Sequence, residues 1–340
     1  MMKAVYLVKY GKSDTAFEIR EVKIPDVSND QVLIKVEAFG INFADVMARL
    51  GLYKGAPPLP ALLGYEVVGH IEKCGSNVQN MKVGDRVSAI TRFGGYAEYA
   101  VAQKEVANII PQSMSAGTAV ALATQYTTAY FLSHNMTNIQ EGDKVLVHAA
   151  AGGVGTALVQ MALFKKCLVF GTCSSSDKID YLRKNGVHHP INYLEKDFAS
   201  EIKTILGTGG LDVIFDPVGG LSVRKGYKLL AAGGRLVSYG VSSMNKTKSI
   251  LGKIRVLAQF GIYHPLQFLS NSKGMIGVNM LKMGEDNPEK VAKAMKAVID
   301  LAQDGIIKPF VGGEFGVQQM AEAHEYLESR KSMGKIVVKW

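Results

Sequence analysis

The chain has 340 residues, 47% of them hydrophobic, and a net charge of +9 at pH 7. That length predicts two domains, that apolar content supports a proper core, and the charge favours acidic partners. No apolar run reaches transmembrane length, Met1 to Tyr10 is too short and polar for a signal-peptide core, and the three cysteines offer neither a CxxC pair nor a disulfide framework, so the reading is a reduced, cytoplasmic protein.

Before Pro111 the pattern is that of short strands and turns. Gln31 to Glu37 alternates apolar and polar residues as a half-buried strand does. Val67 to Glu72 and Arg86 to Ile90 look similar, with Val83-Gly84-Asp85 as a turn between them. This predicts a small antiparallel, barrel-like domain. Gln125 to Ser133 then begins a helix.

From there the period changes. Val145 to His148 reads as a buried strand, Ala149 to Gly153 as a loop of small residues, and Val154 to Phe164 as a helix. Strand, glycine-rich turn and helix is the setting in which a dinucleotide fingerprint has meaning. Here Ala150 stands at the first glycine position, and Gly152 and Gly155 supply the others. Small residues let the backbone approach a pyrophosphate, and the helix start offers N–H groups and a positive dipole end. Leu168 to Thr172, Leu211 to Phe215 and Arg235 to Tyr239 read as further strands. Asp177 to Asn185, Asp197 to Leu206 and Val223 to Leu230 read as the helices between. Apolar strands alternating with helices predict a doubly wound parallel sheet in an α/β protein.

The end of the second strand selects the cofactor. An acid there would bind a ribose 2′-hydroxyl and favour NAD. The chain has Thr172, Cys173, Ser174, Ser175 and Ser176 instead, with Asp177 and Lys178 inside the next helix. Hydroxyls and a cation suit a 2′-phosphate, so NADPH is preferred. The alternative is that Ser176 only caps a helix and Lys178 sits on a solvated face.

The charge excess has a location. Pro217 to Gly284 contains basic residues and no acidic ones, among them Arg224, Lys225, Lys228, Lys246, Lys248, Lys253, Arg255 and Lys273. Ser249 to Leu269 interleaves Lys253 and Arg255 with Leu251, Ile254, Leu257, Phe260, Ile262, Tyr263 and Phe268. This pattern fits a membrane-surface or partner-binding segment, and equally a lid over a cleft or a solvated basic face. No nucleic-acid motif accompanies the charge, which sets that partner aside. After Met275 the MIGVNML stretch reads as a strand. Asn287 to Gln303 is an amphipathic helix with Val291, Met295, Val298, Ile299 and Ala302 on one face. Ala321 to Ser329 is another helix, and Lys335 to Lys339 a last strand that returns to the first domain.

Taken together, GINFADVMARLGLY (Gly40 to Tyr53), LLGYEVVGHIEKCG (Leu62 to Gly75), VGDRV (Val83 to Val87), HAAAGGVG, FDPVGG (Phe215 to Gly220) and GKIVV (Gly334 to Val338) resemble the zinc-independent quinone oxidoreductase branch of the medium-chain dehydrogenase/reductase superfamily. GKIRVLAQFGIYHPLQFL and the following GVNML are similar to the basic-aromatic insert of its synaptic vesicle membrane protein VAT-1 subgroup. The resemblance covers nearly the whole length. It implies a GroES-like β-rich catalytic domain over 1–125 and 270–340 and a Rossmann NADP(H)-binding domain over 126–269. It also implies an active site in the cleft between them and homodimers that extend the sheet. Asn42, Asp45 and Tyr53 are then expected to line the substrate cleft, Asn42 and Tyr53 as donors. Tyr65 occupies the place of a lost zinc-ligand His. Met47 stands where many quinone reductases of the family carry Tyr. For NADPH the resemblance points to Gln125, Thr128, Gly152, Gly153, Val154, Ser174, Lys178, Tyr193 and Gly240, with Lys335 approaching the adenosine phosphate.

The zinc enzymes of the superfamily take a Cys and a His from the first two motifs. Here Asn42 and Asp45 come without a Cys, and Gly64-Tyr65-Glu66 replaces Gly-His-Glu. Glu66 alone cannot supply the three protein ligands that a catalytic zinc needs. The four-cysteine lobe is missing from Ile90 through FGGYAEY. His148, His188 and His189 are not spaced as a ligand cluster. The expected chemistry is therefore zinc-independent hydride delivery from NADPH to a quinone or an α,β-unsaturated carbonyl. The alternative is a VAT-1-like protein, peripheral to a membrane, that binds NADPH with little turnover.

Overall fold

The computed structural model describes residues 1–246 and 249–340; Lys248 and the side chain of Lys246, both in the basic tract, lie outside the described residues. The chain divides into two compact units, Met1–Thr127 with Leu281–Trp340, and Thr128–Met280.

In the first unit a seven-stranded sheet is built around the long strand Gln31–Ile41. One edge of that strand pairs with Glu66–Cys74. The other takes Tyr99–Gln103 along its first half and Lys335–Lys339 along its second. Double pairing explains why it runs past the expected end at Glu37 and loses strict alternation toward Ile41. Arg86–Ile90 and Ala107–Ile109 extend the sheet on one side. Val311–Gly316 closes the other side and lies parallel to Lys335–Lys339, the exception to the expected antiparallel pattern. A second sheet pairs Met2–Leu7 with Phe17–Val22 and Ala61–Leu62. Val32, Ile34, Phe39, Ile41, Val67, Val87 and Ile336 are fully buried in one core. Each such side chain contributes about 1.5–3 kcal/mol by leaving water.

The second unit holds six parallel strands in the order His189–Asn192, Leu168–Cys173, Lys144–Val147, Leu211–Asp216, Leu230–Ser238, Gly274–Gly277. This is the doubly wound order whose switch point lies beside the first strand. Val145, Leu146, Val147, Val213, Ile214 and Phe215 are all fully buried, as strands covered by helices on both faces must be. His189–Asn192 has no counterpart among the expected strands. It is short, contains Pro190 and sits at an edge, where a missing N–H is tolerated. The first junction lies close to the expected 125–126. The second follows Met280 instead of 269, because Gly274–Gly277 pairs with Arg235–Ser238 and so belongs to the parallel sheet.

The helix expected over Gln125–Ser133 is one stretch of a longer run. Ala116–Ala121 is α-helical, and Leu122–Tyr126 and Phe131–Met136 widen to π-turns. Thr127 Oγ1 donates to the Leu122 carbonyl and Thr137 Oγ1 to the Leu132 carbonyl, which satisfies acceptors that the wider turns release. Such turns recur at functional sites.

Candidate functional site

In the second unit the loop after Lys144–Val147 is made of backbone. Ala149 is held at φ 52°, a left-handed conformation that costs a non-glycine residue about 1–2 kcal/mol. Ala150 N donates to the Thr172 carbonyl at 3.0 Å, tying the loop to the neighbouring strand end. Gly152 caps the Gly153–Phe164 helix without any side-chain hydrogen bond, and no acid stands in its first turn. A Cβ on Gly155 would sit 2.2 Å from the Ala149 carbonyl oxygen, so only glycine lets helix and loop close this tightly. The result is a helix start with uncapped N–H groups and no competing anion, which is an anion site by its own electrostatics.

Ser174, Lys178 and Tyr193 gather at the end of the adjacent strand Leu168–Cys173. Ser175, not Ser176, is the N-cap of the following helix; its hydroxyl accepts from Lys178 N. The Lys178 side chain is only 9% exposed, so it is not on a solvated face. Tyr193 N donates to the Cys173 carbonyl, which places this exposed residue at that same end. Thr128 is buried in this unit, and Gly240 follows its fifth strand, packed close to the Pro217 carbonyl. Below the loop, His148 Nδ1 lies 3.0 Å from Thr172 Oγ1, and burial pushes its basicity down against the nearby Asp216 carboxylate.

In the first unit the remaining residues form a polar centre among apolar strands. Asn42 precedes the Phe43–Arg49 helix and Glu66 begins its strand, so both sit at the same end of the sheet. Lys335 begins the last strand. Glu66 and Lys335 are both 0% exposed and form an ion pair. Asn42 Nδ2 donates to Glu66 Oε1 and Oε2 at 2.9 and 2.7 Å, and Thr124 Oγ1 donates to Oε2 at 2.6 Å. Lys335 also donates to Asn42 Oδ1 at 2.9 Å and to the Ile41 carbonyl at 3.4 Å. A Cβ on Gly40 would meet Glu66 Oε1 at 2.0 Å and Lys335 Cε at 2.3 Å, so glycine makes room for the pair.

Two of the residues expected at the site belong to this network. Lys335 is buried in the first unit with an acceptor for each of its three N–H donors. Asn42 directs its amide nitrogen to both Glu66 oxygens.

Asp45, also 0% exposed, fares differently. Its Oδ2 accepts from Asn42 N at 2.8 Å, and its Oδ1 takes no well-formed hydrogen bond, although the Tyr96 phenol lies beside it. Burial, with the neighbouring Glu66 charge, pushes the carboxyl up to about 7. Tyr53 and Tyr65 meet edge to face with ring centroids 6.5 Å apart, and Phe93 packs 5.2 Å from Tyr65. Burial holds both phenols in the protonated form, and the Tyr65 hydroxyl is buried without a well-formed partner. Gln125 is buried in this unit with Oε1 unpartnered. Among the described residues no group of three or more His, Cys, Asp or Glu is placed to hold a metal ion.

Thr124, Tyr96 and the Glu66–Lys335 pairing had no sequence signal, because their partners lie far away along the chain. Glu66 was visible in its motif, but only as an insufficient zinc ligand.

The chain matches the family described as "Alcohol dehydrogenase GroES-like domain" over residues 28–112 and that described as "Zinc-binding dehydrogenase" over residues 153–298. It is 34% identical to the synaptic vesicle membrane protein VAT-1 homolog of Homo sapiens, over 99% of this chain and 86% of that one. It is 31% identical to the quinone oxidoreductase of Rattus norvegicus, over 99% of this chain and 98% of that one. The solved structure of Escherichia coli quinone oxidoreductase complexed with NADPH matches with a TM-score of 0.85 at 28% identity, covering 99% of this chain and 100% of that chain.

Proposed function

We propose that this chain, which belongs to the medium-chain dehydrogenase/reductase superfamily and groups there with VAT-1 homologues and quinone oxidoreductases, is an oxidoreductase that uses NADPH to reduce a quinone or an α,β-unsaturated carbonyl without zinc. The observation that carries the reading is the second unit's strand-end site: a side-chain-free helix start beside a strand end that has Ser174 and buried Lys178 in place of an acid.

The residues fit the cofactor. Gly152, Gly153 and Val154 would present backbone N–H groups to its diphosphate. Ser174, Lys178 and Tyr193 would take the 2′-phosphate end. Gln125, Thr128 and Gly240 would complete its contacts, and the unpartnered Gln125 Oε1 is an acceptor awaiting a donor. Bound NADPH supplies the hydride. The protein's task is then to stabilise the negative charge that appears on the acceptor's oxygen. The Tyr53 and Tyr65 phenols are neutral donors in a dry setting, where such a bond is worth more than in water. A conjugated acceptor spreads the charge and so tolerates the absence of a Lewis acid. At the zinc-ligand positions Asn42 is committed to Glu66 and Tyr65 is a buried phenol, and neither suits zinc.

The test is NADPH oxidation against a panel of quinones, enals and unactivated ketones, with elemental analysis for zinc. The conjugated acceptors should react, the ketones should not, and the metal should be well below one per chain. If NADPH binds and no conjugated acceptor is reduced, the enzyme reading is lost.

A specific observation favours a second reading, association with a lipid surface. Leu251, Ile254 and Leu257 are 79%, 55% and 59% exposed at helical spacing on Ile250–Phe260, and Ile262 is 98% exposed. Lys253 and Arg255 stand among them, in the tract that has no acid. No helix among the described residues is long and apolar enough to cross a membrane, so any such contact would be peripheral. Co-sedimentation with anionic vesicles that weakens in high salt and with Leu257→Asp would support this. The outer edge of Gly274–Gly277 is the expected site of homodimer pairing, and sedimentation equilibrium reads it directly.

A further inference from the structure

Two loops leave the parallel sheet at its switch point, one after Lys144–Val147 and one after Leu211–Asp216, and buried polar side chains hold both. Val147 pairs with Gly171 on one side and with Phe215 on the other, so the next residue along each strand, Thr172, His148 and Asp216, stands in one row across the carboxyl ends. All three are buried. Asp216 Oδ1 accepts from Val218 N at 2.6 Å and Gly219 N at 2.9 Å, which folds the second loop back on its own strand. His148 is fixed through both backbone and side chain. Its N donates to the Phe215 carbonyl at 3.0 Å, and its ring Nδ1 lies 3.0 Å from Thr172 Oγ1. Nε2 is buried without a well-formed partner. The Thr172 hydroxyl and an edge-to-face contact with Phe198, 4.7 Å between centroids, therefore orient the ring.

The residue after His148 is the strained one. Ala149, at φ 52°, lies between two anchors: the His148 ring on Thr172 Oγ1, and Ala150 N on the Thr172 carbonyl at 3.0 Å. One threonine thus grips the loop on both sides of Ala149. The Ala149 carbonyl in turn accepts from Gly152 N at 2.9 Å and is the atom against which Gly155 closes. The direction of that carbonyl therefore places the start of the Gly153–Phe164 helix relative to the sheet. A strained backbone conformation persists only while its surroundings over-determine it. We infer that His148 is a positioning residue for the cofactor: its contact with the Thr172 hydroxyl holds Ala149 left-handed, so that the N–H groups of Gly153 and Val154 converge on the diphosphate. The inference rests on the reading that places the NADPH diphosphate at this helix start. His148 is buried and acts through the loop.

Binding to the full-length protein tests this without turnover. NADPH and adenosine 2′-monophosphate are titrated by calorimetry; the second ligand carries the 2′-phosphate and no diphosphate. His148→Phe keeps a ring against Phe198 and removes both nitrogens, and Thr172→Val removes the hydroxyl from the neighbouring strand. Each should weaken NADPH by roughly 3–10-fold, the range set by one neutral hydrogen bond, and leave the monophosphate unchanged. The double variant should lose no more than either single one, because the same contact is broken in all three. His148→Asn, whose amide can stand where Nδ1 stands, and Thr172→Ser should recover most of the loss. In the cofactor-free protein, amide hydrogen exchange over Ala149–Val154 should quicken in Thr172→Val. Unchanged NADPH affinity in Thr172→Val, equal weakening of both ligands, or losses that multiply in the double variant overturn the proposal. If His148→Phe does not fold, Thr172→Val and Thr172→Ser carry the test by themselves. Wild type that binds the monophosphate as tightly as NADPH would instead overturn the placement of the diphosphate at this loop.

Discussion

The two units build their polar sites by opposite means. The first concentrates side chains: a carboxylate, an ammonium, an amide and a hydroxyl, packed until almost every hydrogen is assigned. The second removes side chains, so that backbone N–H groups and a helix dipole are all that remain at the loop. A saturated network is rigid and intolerant of losing one member; a bare backbone site is intolerant of gaining an atom. Trp340, the only tryptophan, packs on Phe39 in the first unit, so its fluorescence reports that unit by itself.

The largest effect should come from unbalancing the saturated network. Lys335→Met leaves Glu66 buried without its cation, which typically costs about 3–5 kcal/mol. Urea unfolding followed by Trp340 fluorescence should show that loss, and adding Glu66→Leu should recover much of it. Equal stability in Lys335→Met would mean that the pair is not buried as described. The converse experiment adds an atom to the bare site. Gly155→Ala should force the loop off the helix at a cost of about 1–3 kcal/mol, as overpacking does. NADPH binding should collapse while the Trp340 transition stays in place; a shift of both transitions would blur the contrast between the units.

A smaller effect should follow from Lys178→Ala. Removing one charge-assisted bond, worth about 1.5–3 kcal/mol, should weaken NADPH by roughly tenfold or more and leave NADH nearly unchanged. Equal losses for the two cofactors would remove Lys178 from the 2′-phosphate. The smallest effect is a slope. Asp45 is raised from 3.8 in its ordinary state to about 7, so between those values the folded chain holds a proton that the unfolded chain has released. Stability from this group therefore falls as pH rises from about 4 to about 7. Asp45→Asn should flatten that part of the melting temperature profile relative to wild type. His324, lowered from 6.5 to about 3, acts in the opposite sense, removing stability as pH falls through that window.

How much was legible follows the same division. The second unit's site is local: strand, loop and helix are consecutive, so Gly152, Gly155 and the missing acid could be read directly. Even Ser175 for Ser176 as cap is an error of one position. The first unit's site is made by residues 24, 58 and 269 positions apart, and no period or motif encodes such pairings. Asn42 and Lys335 are therefore recognisable as motif residues, but their tasks are not. The strand His189–Asn192 escapes a sequence reading because a Pro and an edge position hide its pattern. The π-turns at Leu122–Tyr126 and Phe131–Met136 have no distinctive composition at all.

The distance between Glu66 and Lys335 also sets a schedule. The second unit is one continuous stretch, whereas the first is completed by Lys335–Lys339, a strand that follows the whole of the second unit along the chain. At roughly 5–20 residues per second on a ribosome, the 269 positions between the two partners take about 13–54 s to be made. Throughout that interval the carboxylate has no counter-ion and the strand Gln31–Ile41 lacks one neighbour, while the parallel sheet can already close. In biosynthesis, residues made early are among the last to be finished.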